Sequence, residues 1–157
     1  MSFFELKPIG IIKTQFEEKV GVPIQAKNGE DYIGHIEVNN EYVQGLKDLD
    51  GFSHIHLLYH LNRHDDYSLL VKPYMDDTSR GLFATRAPKR PNQIGLSLVE
   101  IIKIEDNVIT FKGVDMLNNT PLLDIKPYYH EFDSRENSKA GWLDKVKNKR
   151  TVADNRF

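Results

Sequence analysis

Between Ser53 and Leu61 apolar and polar side chains alternate: Ile55, Leu57, Tyr59 and Leu61 share one side, and His54, His56 and His60 fall on the other. Successive side chains of a strand point to opposite faces, so this run predicts a strand buried on one face. Pro8-Ile-Gly-Ile-Ile-Lys13, with Ile9, Ile11 and Ile12, predicts an opening strand within residues 3–13. Ser97 to Phe111 holds two β-rich runs around Glu105-Asp-Asn-Val108, and the Asp-Asn pair predicts the hairpin turn joining them, since both tolerate turn backbone. Pro121 to Ile125 predicts a further strand, ended by Lys126-Pro-Tyr128. Gly21 to Ala26 reads as loop. Only Glu41 to Leu49 has helical spacing, with Tyr42, Val43, Leu46 and Leu49 able to share a face. Short strands separated by turn signals, with little helix, predict a mainly β protein: a small single-domain β-barrel with short flanking helical and irregular segments, because closure removes exposed strand edges.

A length of 157 residues suits one domain. Hydrophobic content of 39% and charged content of 28% are those of an ordinary soluble globular chain. No apolar run approaches the roughly 20 residues needed to span a bilayer. The N-terminal Met-Ser-Phe-Phe-Glu-Leu-Lys lacks a signal-peptide layout, so a cytoplasmic location is expected. Cysteine is absent, which excludes disulfides, thiolate chemistry and cysteine-ligated metal. A formal net charge of −2 provides no global attraction to nucleic acid, so any such contact must come from a local patch.

That patch exists. From Asp77 to Glu100 no carboxylate intervenes, and Arg80, Arg86, Lys89 and Arg90 concentrate positive charge there. Pro88 and Pro91 fix φ and forbid a regular helix, so the guanidinium groups are presented from a stiff loop suited to anion or carboxylate capture. A solvated basic connection between strands is the plainer alternative. A second basic stretch, Asn137 to Phe157, carries Lys145, Lys147, Lys149 and Arg150 around Trp142 and reads as a docked arm or a frayed tail.

His54, His56 and His60 on one strand face invite a metal site. A cupin-like site needs a carboxylate a few residues beyond the His pair, and Asp65 and Asp66 fall outside the strand, so a polar wall or cross-strand hydrogen bonding suits these histidines better. No metal is expected. The phosphate-cradling and dinucleotide glycine motifs are missing, as is the nucleophile elbow of serine hydrolases. Asp115-Met-Leu-Asn-Asn-Thr-Pro121 is a turn of amides, a hydroxyl and backbone groups, able to read a base or ribose or simply to connect strands.

Four stretches in order, Pro8-Ile-Gly-Ile-Ile-Lys13, Gly51-Phe-Ser-His-Ile55, Gly81-Leu-Phe-Ala-Thr-Arg86 through Asn92-Gln-Ile-Gly-Leu-Ser97, and Asn119 through Tyr128, resemble the TsaA-like family, also called TrmO. The resemblance covers nearly the whole chain. It implies an S-adenosyl-L-methionine-dependent methyltransferase acting on the N6 nitrogen of threonylcarbamoyl-adenosine beside the tRNA anticodon, at position 37. It also implies a small barrel unlike the Rossmann methyltransferases, and a homodimer. By position, the cofactor would be held by Pro23, Ile24, Gln25, Asn62, Arg63, Arg86, Leu96, Asn118, Asn119, Thr120 and Pro121. The late turn departs from the Asp-Gly-Thr-Pro of several relatives, replacing a carboxylate with an amide.

In that frame residues 1–136 form the barrel methyltransferase domain, and residues 137–157 a basic C-terminal arm packed on it. Methyl transfer to nitrogen requires in-line positioning, and a base acted on must first be unstacked, which an anticodon loop permits. Lys89, Arg90 and Lys126 are candidates for holding the tRNA anticodon loop, and Asp124 and Tyr128 for accepting the departing proton. A noncatalytic RNA-binding barrel and a metal-dependent, cupin-like enzyme remain the alternatives.

Overall fold

The computed structural model describes residues 2–146 and 151–156. Six strands close an antiparallel barrel: β1 (Gly10–Lys13), β2 (Ile33–Val38), β3 (His54–His60), β6 (Ile94–Glu105), β7 (Val108–Lys112) and β8 (Thr120–Pro127). Around the barrel the order is β1-β2-β7-β6-β3-β8, with β8 pairing back to β1. Two further strands, β4 (Leu70–Val71) and β5 (Arg80–Gly81), make a separate ribbon.

Period-two patterning sets the interior. Ile12, Ile36, Ile55, Leu57, Ile109, Phe111 and Leu122 are wholly buried, and each contributes about 1.5–3 kcal/mol through loss of water contact. The histidines of β3 face outward as their alternation predicts. Phe111 fills the middle of the barrel only because Gly34, its neighbour across β2 and β7, has no side chain; a Cβ there would strike the ring. Register shifts at Leu58/Tyr59 on β3 and Ile101/Lys103 on β6 bend the strands enough to close the sheet. The hairpin between β6 and β7 turns at Asp106-Asn107, with Asp106 left-handed at φ 51° and Asn107 Nδ2 donating to the Val38 carbonyl.

The helical spacing of Glu41 to Leu49 does not produce an α-helix. The segment forms 3-10 turns at Asn40–Leu46 and Leu49–Gly51, interrupted at Asp48, whose φ is 67°. Gly45 removes helix propensity, and the left-handed Asp48 breaks the repeat, so Leu49 is buried while Tyr42 and Leu46 pack only partly on the core.

A smaller cluster of Val71, Leu82 and Ala87, with Tyr74 against it, supports the loops beside the barrel mouth. C-terminal residues dock onto the same region. Val152 bridges Pro23, with Gly21 and Ile24 donating to the carbonyls of Ala153 and Thr151. Arg156 reaches the Pro73 and Asp76 carbonyls, and Trp142 Nε1 donates to the Ala84 carbonyl. Lys147, Lys149 and Arg150 lie outside the described residues. Among the described residues no helix is long and apolar enough to cross a membrane.

Candidate functional site

The C-terminal end of β3 and the starts of β6 and β8 meet at one mouth of the barrel, because β3 runs antiparallel to both neighbours. There a cavity of about 310 Å³ opens. Ile24, Leu61, Ile94, Leu96 and Met116 supply apolar wall, and Lys19, Arg63, Arg86 and Arg90 supply positive charge. Asp115 is the one carboxylate among its described lining residues.

Most of the residues assigned to a cofactor by position converge here. Pro23, Ile24, Gln25, Asn62, Arg63, Arg86, Leu96 and Thr120 line the cavity. Asn118, Asn119 and Pro121 shape the turn beside it instead. Asn118 Oδ1 accepts from the Thr14 amide, and Asn118 Nδ2 donates to Glu17. Asn119 adopts a left-handed φ of 64°, where an amide side chain is tolerated, and accepts from Lys13 Nζ at 2.6 Å. Pro121 sits on β8 opposite Ile11. Arg63 straps this turn down, donating to the Glu17 and Asn118 carbonyls at 2.8 and 3.0 Å.

The basic loop is less freely charged than its composition suggests. Arg80 pairs with Asp76 at 2.6 Å, and Lys89 lies 3.7 Å from Asp66. Arg90, a candidate for facing RNA, turns its guanidinium back onto the Thr85 and Ala87 carbonyls. Arg86 instead donates to a neutral partner, Gln25 Oε1, at 2.7 Å and keeps its charge directed at the cavity.

Asp124, Tyr128 and Lys126 do not reach the cavity. Asp124 pairs with Lys126 at 3.0 Å, in register with the outward Leu58. Tyr128 packs edge-on against His54 and His56. His54 Nδ1 hydrogen-bonds Ser53 Oγ, and His56 Nε2 lies 3.6 Å from Asp133. Among the described residues no group of three or more histidine, aspartate or glutamate side chains could hold a metal ion.

At the cavity floor the structure assembles a relay that residue-by-residue reading missed. The Tyr59 phenol donates to Ser97 Oγ at 2.8 Å, and Ser97 spends its one proton on Asp115 Oδ1 at 2.6 Å. Burial pushes the Asp115 carboxyl up to about 7; hydrogen bonds from Ser97 and from backbone amides, with the nearby Arg86, oppose the rise. Burial, then Asp115, holds the Tyr59 phenol far above its usual range. His64, at the rim, is held below its ordinary range by burial and by Lys19 and Lys89. Gly95, beside Ser97, is required because a Cβ there would enter the Tyr59 ring. The available sequence signal was a tyrosine and a serine on inward-facing strand positions, where apolar residues are the rule.

A closed antiparallel barrel with a mixed apolar and cationic cavity at one mouth, floored by a single raised carboxylate, defines a small-ligand binding barrel. Residues 11–134 match the family of the tRNA-methyltransferase O N-terminal domain, and the chain belongs to that family. It is 50% identical over 153 residues to a probable S-adenosyl-L-methionine-binding protein of Pyrococcus abyssi, covering 96% of this chain and 83% of the relative. It is 36% identical over 138 residues to the tRNA (adenine(37)-N6)-methyltransferase of Rattus norvegicus, covering 83% of this chain but 32% of that enzyme. The crystal structure of TrmO from P. aeruginosa is similar with a TM-score of 0.77 at 32% identity, covering 92% of this chain and 63% of that one. The chain therefore spans less than two thirds of these last two proteins.

Proposed function

We propose that this chain is an S-adenosyl-L-methionine-dependent methyltransferase acting on the N6 nitrogen of adenosine 37 in tRNA, with threonylcarbamoyl-adenosine as the acceptor nucleoside. The observation that carries this is the convergence of the family's cofactor positions on one cavity, with Arg86 held by Gln25 at its wall and Asp115 at its floor. The lining suits the cofactor chemically. Arg86 offers a planar fork to a carboxylate, Asp115 offers negative charge near a cationic group, and Ile24, Leu61, Ile94 and Leu96 offer apolar surface to a purine. Pockets of a few hundred Å³ are of the size that holds such ligands. The names of the Pyrococcus and rat relatives support the same cofactor and the same nucleotide.

When bound, S-adenosylmethionine supplies an electrophilic methyl group on a sulfonium: the acceptor lone pair forms the N–C bond while the S–C pair stays on sulfur. The chain's own task is positioning and removal of one proton. Asp115, rather than Asp124 or Tyr128, stands in the cavity to take it; Ser97 and Tyr59 fix that carboxylate's orientation. A carboxyl with a pKa of about 7 is half-ionised at neutral pH, which suits proton transfer.

The active unit in this reading is a homodimer in the cytoplasm, where tRNA is the substrate. Its support is an outward apolar stripe on β6: Ile94, Leu96, Leu98 and Ile102 are 41, 45, 39 and 42% exposed. That stripe begins at the cavity rim. Lys89 and Lys126 would contact RNA phosphates in this reading, displacing their pairings with Asp66 and Asp124.

Nucleoside analysis of tRNA incubated with protein and S-adenosylmethionine tests the activity. A methylated threonylcarbamoyl-adenosine is expected. If plain adenosine 37 is methylated instead, the acceptor assignment is wrong; if no nucleoside changes while RNA still binds, the noncatalytic barrel is the correct reading.

A further inference from the structure

A second cavity, about 530 Å³, lies beside the first. Phe83 and Trp142 give it an aromatic lining of its own, and it shares Ile24, Gln25, Tyr74, Thr85 and Arg86 with the first cavity. The 2.7 Å hydrogen bond from Arg86 to Gln25 is thus a sill between them. Trp142 lies beyond the residues matched by the family, in the C-terminal segment that folds back on the barrel.

The rings are held out rather than packed away. Phe83 is 76% exposed although it sits in a structured 3-10 turn, Leu82–Ala84, whose Leu82 is buried. Trp142 is fixed in orientation because its indole N–H is spent on the Ala84 carbonyl, so the ring's face, not its polar edge, is what it offers. Guanidinium groups accompany both rings: Arg80 lies 5.6 Å from the Trp142 centroid and Arg90 5.9 Å from that of Phe83. Both guanidinium groups are committed, Arg80 to Asp76 and Arg90 to the Thr85 and Ala87 carbonyls, so they brace the rings, and the aromatic faces suit an unstacked nucleobase because every base has a π-face.

We propose that the second cavity seats the acceptor purine, flipped from the RNA and stacked on Phe83 and Trp142, with its exocyclic nitrogen directed over the Arg86–Gln25 sill into the first cavity. This rests on the methyltransferase reading for the identity of the base. The sill then has a double use: Arg86 and Gln25 touch the ligand of the first cavity on one side and the base edge on the other. The chain brings cofactor and acceptor together by placing two cavities back to back on the 85–87 stretch of the loop.

The test uses the full chain and an anticodon stem–loop RNA carrying 2-aminopurine at the position 3′ to the anticodon, whose fluorescence is quenched when the base stacks on a ring. Wild-type protein is expected to quench it on binding. Phe83→Ala and Trp142→Ala should each weaken RNA binding about 5- to 150-fold, the span of one lost base–ring stack, and reduce the quenching at saturation. Trp142→Phe, which keeps a ring, should retain it. Calorimetry with S-adenosylmethionine should give all three variants the wild-type affinity within about twofold, because neither ring lines the first cavity. A probe that does not bind, that stays bright on wild-type protein, or that is quenched undiminished by both alanine variants overturns the proposal. Failure of the wild type to bind S-adenosylmethionine, with quenching intact, would instead remove the methyltransferase reading and leave a base-stacking site.

Discussion

Ser97 Oγ lies 2.6 Å from Asp115 Oδ1, joining a strand of the barrel wall to the turn that leads into β8. Where Asp115 is ionised, Ser97 gives it its single proton and accepts from Tyr59. The bond therefore links the barrel interior to the only carboxylate among the described residues lining the first cavity.

Stability should carry the signature of that carboxyl. Its pKa in the fold, about 7, exceeds the ordinary 3.8, so the folded chain keeps a proton that the unfolded chain releases. The group's contribution is fully present below the ordinary value and is lost as pH rises towards 7. The groups facing it are Ser97 from β6, Tyr59 from β3, Arg86 from the basic loop and the Ala26 amide. Thermal melts from about pH 4 to about pH 8 should show melting temperature falling across this window in wild type and a shallower fall in Asp115→Asn. Parallel profiles would show that Asp115 does not titrate there.

Arg86 and Arg90 should separate by phenotype. Arg86→Ala should weaken S-adenosylmethionine binding by about 1.5–3 kcal/mol, the usual size of a lost charge-assisted hydrogen bond, with little change in melting temperature. Arg90→Ala removes hydrogen bonds to two carbonyls of its own loop and should cost about 1–2 kcal/mol of stability. Calorimetry and melts on both variants check this. Equal losses of stability would mean that both arginines merely pin the loop.

Gly95→Ala should destabilise the barrel by about 1–3 kcal/mol, since the new methyl group must displace the buried Tyr59 ring. Denaturant unfolding measures it. A neutral outcome would mean that the Tyr59 ring can shift, and with it the hydrogen bond to Ser97.

If the β6 stripe joins two copies of the chain, Leu98→Lys should convert a dimer to a monomer, because a charge placed in an apolar interface loses its water without gaining a partner. Light scattering distinguishes the two. A wild-type monomer with full methyl-transfer activity would remove the dimer from the functional reading.

The strands were legible from local pattern. His54 to His60 alternates with period two, and the Asp106-Asn107 turn has residues that tolerate the required backbone, so neither needed a partner to be recognised. The helical spacing of Glu41 to Leu49 yields 3-10 turns and no α-helix, because spacing alone does not register Asp48 in a left-handed conformation. The charge of the basic loop was legible as composition but not as availability. Asp76 and Asp66 lie outside the acid-free stretch, yet they approach Arg80 and Lys89 once the loop folds.

By itself the sequence determined the barrel, through alternation along each strand, and the residue types of a binding site, through motifs carried in order. Only the tertiary structure decided which of those residues share a cavity. Tyr59, Ser97 and Asp115 belong to separate segments and form one relay because β3 and β6 pair in a register that places Tyr59 opposite Gly95, and the turn before β8 closes over them. Asp124 and Tyr128, close to the same motif in sequence, are carried to the outside by that closure. Period two tells which residues share a face of one strand; curvature and register decide which strands' faces meet at the mouth.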